Sequence, residues 1–219
     1  MIITFATQKG GTGKTTLAIA FANYLSLYRD MEDRLLKVFD YDFQKSFYYK
    51  WKEDQDSDLE MLYKVEIIDD TNKSSISDFN SLIELKESKD IYLFDLAGTL
   101  DSKYNELLIY SDYIIVPYEY SNVSTKSTII FISFLGIIES QANRVFIRSK
   151  YDKGYNYLNQ IEMDNEISKF GKLLESPVFK RNILQTIDTR KLTYEQKYAV
   201  QKPFNELIEY INETSKIKI

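Results

Sequence analysis

The octapeptide KGGTGKTT, Lys9 to Thr16, constrains this chain more than any other feature. It follows a short apolar run, Ile2 to Ala6. It precedes a segment in which Leu17, Phe21, Tyr24, Leu25 and Tyr28 share one helical face. A strand, a glycine-rich turn and a helix in that order make a cradle for phosphate. Glycines let the backbone curl so that successive N–H groups point inward, and the helix start offers its dipole to the same anion. Gly10, Gly11, Thr12, Gly13, Lys14, Thr15 and Thr16 would line that cradle. Lys14 is spaced to reach the outer phosphates, and the Thr15 hydroxyl to ligate Mg²⁺. The pattern G-x-x-x-x-G-K-[ST] is not complete, because Gln8 stands where its first glycine belongs. Lys9 is left over: it sits on the lip of the turn with no phosphate to hold within one chain.

The rest of the chain repeats the alternation. Apolar runs recur at Leu35–Phe39, Val65–Ile68, Ile91–Phe94, Tyr113–Val116 and Val145–Ile147. Several lack polar alternation, as strands buried on both faces do. Helix-length segments lie between them: one through Phe79, Leu82, Ile83 and Leu85, one over Ser121–Ile138, one over Tyr155–Phe170, and a last one opened by Pro203. The expected fold is α/β: a single domain, residues 1–219, with a doubly wound, mostly parallel sheet flanked by helices. Ligands of such sheets bind at the carboxyl ends of the strands.

Two more strand ends carry carboxylates. The second run ends in VFDYDFQKS, Val38 to Ser46, where Asp40 and Asp42 lie two residues apart on extended backbone and can share one site. The fourth reads DIYLFDLAGTL, Asp90 to Leu100: four apolar residues and then Asp95, the pattern of a magnesium-binding carboxylate. Gly98 stands where a turn sensing the terminal phosphate would lie.

Composition narrows the chemistry. The chain has no cysteine and no histidine, which excludes disulfide frameworks, thiolate metal sites, iron–sulfur clusters and imidazole catalysis. Carboxylates, lysines, hydroxyls and backbone groups remain, an inventory that suits phosphate transfer. The apolar N-terminus lacks the basic flank of a signal peptide, and the run Thr128–Ile138 is too short to span a bilayer, so a cytoplasmic location is expected. The net charge is −5, yet Lys and Arg outnumber Asp and Glu from Arg144 onward, which suits either a solvated surface or contact with a polyanion.

K-G-G-x-G-K-[ST] resembles the deviant Walker-A motif of the ParA/MinD family of ATPases, and VFDYDFQKS resembles that family's D-x-D-P-Q stretch with Phe43 in place of proline. SDYIIVPYEYS, Ser111 to Ser121, is similar to another of its strands. The segment after Asp95 departs: Leu96 and Ala97 replace two prolines. Arg148 stands where an asparagine near the base often lies. A guanine signature is not met; NKSS at Asn72 lacks the aspartate.

The resemblance implies a slow ATPase with ATP and Mg²⁺ as cofactors. Lys9 would cross a homodimer interface to the partner's nucleotide, Lys14 would hold the phosphates, and Asp42 would orient the attacking water. Asp40 would stand near the magnesium shell with Thr15 and Asp95. It also implies nonspecific DNA binding by the ATP-bound dimer, with Arg144, Arg148, Lys180, Arg181, Arg190 and Lys191 as candidates, and a ParB-like stimulating partner. Stable membrane binding is not expected, because the helical part of the tail FNELIEYINETSKIKI is acidic. A nucleotide-gated scaffold with little turnover stays open, as does a small-molecule kinase or ligase, which would need Lys14 and Asp95 but not Lys9.

Overall fold

The computed structural model describes residues 1–31, 33–68, 79–216 and 218–219. Asn72 and its NKSS stretch lie outside them. Seven strands form one sheet: β1 (Ile2–Thr7), β2 (Leu36–Tyr41), β3 (Lys64–Ile67), β4 (Ile91–Gly98), β5 (Tyr113–Tyr118), β6 (Asn143–Arg148) and β7 (Lys172–Leu173). Their order is β3-β2-β4-β1-β5-β6-β7 and every pairing is parallel. The chain starts in the middle and winds outward first one way, then the other. β1 therefore has neighbours on both sides, and the loop that follows it sits over the centre of the sheet.

Helices cover both faces: α1 (Lys14–Tyr28), α2 (Ser46–Glu53), α3 (Phe79–Glu87), α4 (Asn105–Tyr110), α5 (Asn122–Ile137), α6 (Gln160–Ser168) and α7 (Tyr194–Thr214). The period of two along each strand sorts its side chains between two cores. Ile3 and Phe5 of β1, Leu93 of β4 and Ile115 of β5 join Phe21 of α1, Phe47 of α2 and Phe204 and Leu207 of α7. Ile2, Phe94 and Val116 face the other way, onto Leu82 of α3, Leu107 of α4, Phe131 and Leu135 of α5 and Ile167 of α6. Asp40 and Asp95 fall on the α1 side by the same count, directly opposite each other across the β2–β4 ladder.

The six apolar runs are strands, but the last helix differs from expectation. It begins at Tyr194, not at Pro203, and Pro203 lies inside it. A capping box starts it: the Thr193 hydroxyl accepts from Gln196 N at 3.2 Å, and the Gln196 side chain accepts from Thr193 N at 2.9 Å. The proline removes one helical hydrogen bond. The buried stripe of Ala199, Val200, Phe204, Leu207, Ile208 and Ile211 holds the helix together through that break. Among the described residues no helix is long and apolar enough to cross a membrane.

Candidate nucleotide site

The turn after β1 has the shape its glycines allow. Gly11 and Gly13 both take φ of +82°, a region closed to most side chains. Gly13 is the N-cap of α1. No side chain caps that helix, and no acidic residue sits in its first turn, so its leading N–H groups stay available to an anion. The Thr7 hydroxyl donates to Lys9 O at 2.7 Å and pins the start of the turn. Gly98, at the end of β4, packs beneath it: a Cβ there would stand 2.7 Å from Gly10 N and 2.8 Å from Lys9 C. This close approach explains the glycine.

Lys14 and Asp95 meet on the floor of the cradle at 2.5 Å, with Asp95 fully buried and Lys14 nearly so. Burial pushes the Asp95 carboxyl upward, while the Lys14 ammonium and the Thr15 hydroxyl that bonds to it pull the other way. Asp95 Oδ2 is buried with no partner, as is Thr12 Oγ1. Asp40 is also fully buried. Burial first, and the charge of Asp95 next, push its carboxyl up to about 6. Its two oxygens accept from Asp42 N at 3.0 Å and from Tyr48 N at 2.9 Å, which ties the turn after β2 to α2. Asp42 lies at the mouth instead, its Oδ1 accepting from Gln44 N at 2.9 Å.

Beside these groups opens a cleft of about 570 Å³, lined by the whole turn from Lys9 to Thr16 together with Asp42, Phe43, Ala97, Gly98, Lys150 and Gln185. Lys9 lines it with no hydrogen bond or ion pair on its side chain. Among the described residues no three acidic groups cluster as a self-contained metal cage. The donor set of Thr15, Asp95 and the neighbouring Asp40 nonetheless fits Mg²⁺, which keeps several waters and takes the rest of its oxygens from phosphates. The orphaned Oδ2 of Asp95 is the acceptor that such a hydrated ion would satisfy.

Sequence reasoning missed Ser149 and Lys150. The Ser149 hydroxyl donates to Thr12 O at 2.7 Å, and the Lys150 ammonium donates to Gly11 O and lies 3.3 Å from Glu119. Both follow β6 directly, and the rule that parallel sheets place sites at carboxyl ends could have found them. Beside them a smaller cavity of about 150 Å³ runs from Gly13 and Thr16 to Phe179 and Asn182.

The basic candidates divide. Arg190 is buried and donates from Nε to Asp54 O at 3.1 Å, so it offers no face to a polyanion. Arg148 pairs with Asp164 at 3.2 Å and donates to Glu175 O. It therefore clamps α6. Arg144 is half-buried against Ser140 O. Lys191 reaches Asp188 at 3.8 Å. Lys180 and Arg181 are exposed without a carboxylate partner.

A parallel sheet wound outward from a central strand, with a phosphate turn over that strand, defines the class of P-loop nucleotide-binding proteins. Within it, this chain belongs to the family described as the CobQ/CobB/MinD/ParA nucleotide binding domain, whose model matches residues 3–200. Solved structures share the fold at low identity. A putative plasmid partition protein from Borrelia burgdorferi B31 bound to AMPPNP is 19% identical, with TM-score 0.70 over 98% of this chain and 99% of that one. The Aquifex aeolicus MinC:MinD cell division protein complex matches at 13% identity and TM-score 0.70, over 100% of this chain and 98% of that one. The pNOB8 ParA bound to nonspecific DNA matches at 15% identity and TM-score 0.63, over 98% and 99%. Among curated proteins nothing matches the chain.

Proposed function

We propose that this chain is a ParA-like ATPase that uses ATP to join two copies of itself and hydrolysis to release them, in the service of DNA partition. One observation carries the reading: the cradle holds a buried lysine that answers to Asp95, while a second lysine, Lys9, stands at its lip with nothing to bind in its own chain. Lys14 would exchange part of its bond to Asp95 for phosphate oxygens. The free N–H groups of the turn and of α1 would hold the others. Asp42, at the mouth and not buried, would orient the attacking water. Thr15 and Asp95 would hold Mg²⁺ with Asp40 behind them, and the ion would neutralise charge on the phosphates. Lys9 would complete that neutralisation from the second copy.

The relatives with AMPPNP, MinC and nonspecific DNA support nucleotide, protein and DNA partners in that order of directness. Lys180 and Arg181 are the candidates left free for duplex DNA, and a ParB-like protein would stimulate turnover. The test is Lys9→Ala. In the switch it should bind ATP as tightly as the wild type but neither dimerise nor hydrolyse it. A monomeric kinase or ligase would keep its activity, and that result would sink the proposal.

A further inference from the structure

Next to the nucleotide cleft, with Lys150 lining both, runs a trough from which the ATPase reading takes only Lys180 and Arg181 and leaves the rings unused. It consists of two adjoining cavities of about 720 and 630 Å³, which share Tyr151, Asp152 and Lys180. Aromatic rings line it from end to end. Tyr120, Tyr151 and Tyr157 are placed by the fold: their hydroxyls bond Asp164 Oδ1 at 2.5 Å, Gln160 Oε1 at 3.3 Å and Asp152 N at 3.0 Å. Tyr155 and Tyr198 are not. They are 65% and 61% exposed, their hydroxyls bond nothing, and they stand in different cavities of the trough. Each ring touches one neighbour, Tyr155 lying 4.9 Å from the Tyr157 ring and Tyr198 5.9 Å from Arg181, and most of its surface stays open to solvent.

Cations are interleaved with the rings. Lys153 lies 4.5 Å from the centre of the Phe179 ring and Arg181 5.9 Å from that of Tyr198. Lys180 and Lys202 line the same wall. None of the four has a carboxylate partner. Two carboxylates, Asp152 and Glu175, share the lining, and Glu119 is already answered by Lys150 at 3.3 Å. An excess of positive charge thus persists here in a chain of net charge −5.

We infer that this trough binds a single strand of nucleic acid, with bases stacked on Tyr155 and Tyr198 and phosphates held by Lys153, Lys180, Arg181 and Lys202. Exposed rings and unpaired cations lining one groove are the two halves of single-strand recognition. A duplex keeps its base faces inside its own stack and leaves the tyrosines idle. One free nucleotide would use one ring and leave the other cavity unexplained. The site belongs to one protomer and needs no ATP.

The test is fluorescence anisotropy of a labelled oligo-dT of about 15 nucleotides with the wild-type protein and no nucleoside triphosphate. Saturable binding that weakens steeply with salt is expected. Tyr155→Leu and Tyr198→Leu should each weaken it about five-fold or more with the salt slope unchanged. Lys180→Gln should lower the slope by about one. Because these side chains are exposed, the variants should unfold at the wild-type temperature. Four results would overturn the inference: no binding, equal competition by duplex DNA at equal nucleotide concentration, tyrosine variants that bind as the wild type does, or displacement by AMP alone. The assay contains no ATP, so failure of the dimer switch leaves its outcome unaffected.

Discussion

Lys14 faces two buried carboxylates on the floor of the cleft, Asp95 in contact and Asp40 beyond it. Removing it leaves buried charge unanswered, which costs about 3–5 kcal/mol. Lys14→Ala should therefore lose nucleotide binding and also shift denaturant unfolding by that amount at neutral pH. Unchanged stability would show that solvent reaches the pair. Asp40 supplies a pH test of the same floor. Its carboxyl titrates near 6 in the fold against an ordinary 3.8, so the folded chain holds this proton more tightly than the unfolded one. Its contribution to stability is full below pH 3.8 and is lost as the pH rises through about 6, a swing of about 3 kcal/mol. Measured without magnesium, the stability of wild type relative to Asp40→Asn should fall by about that much from acid to neutral pH. A difference that stays constant with pH would contradict the burial of this pair.

At the scale of elements, the loops are held by close packing. The turn after β1 rests on Gly98 at a distance that no side chain could occupy. Gly98→Ala should displace the cradle and lower nucleotide affinity at least ten-fold, read by calorimetry, while the sheet stays folded; wild-type affinity would mean that the two segments move apart freely. Thr193→Ala removes half of the capping box and should cost about 1 kcal/mol of unfolding free energy. Much of this level was legible in the residues. Buried parallel strands appear as apolar runs, and the glycines and lysine of the cradle declared themselves by type and spacing. The start of α7 differs from expectation because the capping box of Thr193 and Gln196, and not Pro203, sets it. Tertiary burial overrode the proline. Ser149 and Lys150 escaped because their role depends on which loops the winding brings together, and spacing along the chain does not report that. The burial of Arg190 escaped for the same reason: its partner, Asp54, lies far away in sequence.

At the scale of the molecule, the carboxyl edge of the sheet gathers what the fold does not consume. Lys9 has no partner, and Phe43 stands 88% exposed beside Asp42 at the cleft mouth. An unpartnered cation and a bare aromatic ring at the rim of a phosphate cradle are what a second copy would cover once nucleotide fills the space between them. The central claim is that nucleotide joins two chains through Lys9. Sedimentation velocity of the wild type and of Lys9→Ala, each saturated with AMPPNP and magnesium, tests it most directly. The account predicts twice the monomer mass for the wild type and the monomer mass for the variant, with nucleotide bound to both. A wild type that stays monomeric, or a variant that still dimerises, would contradict it.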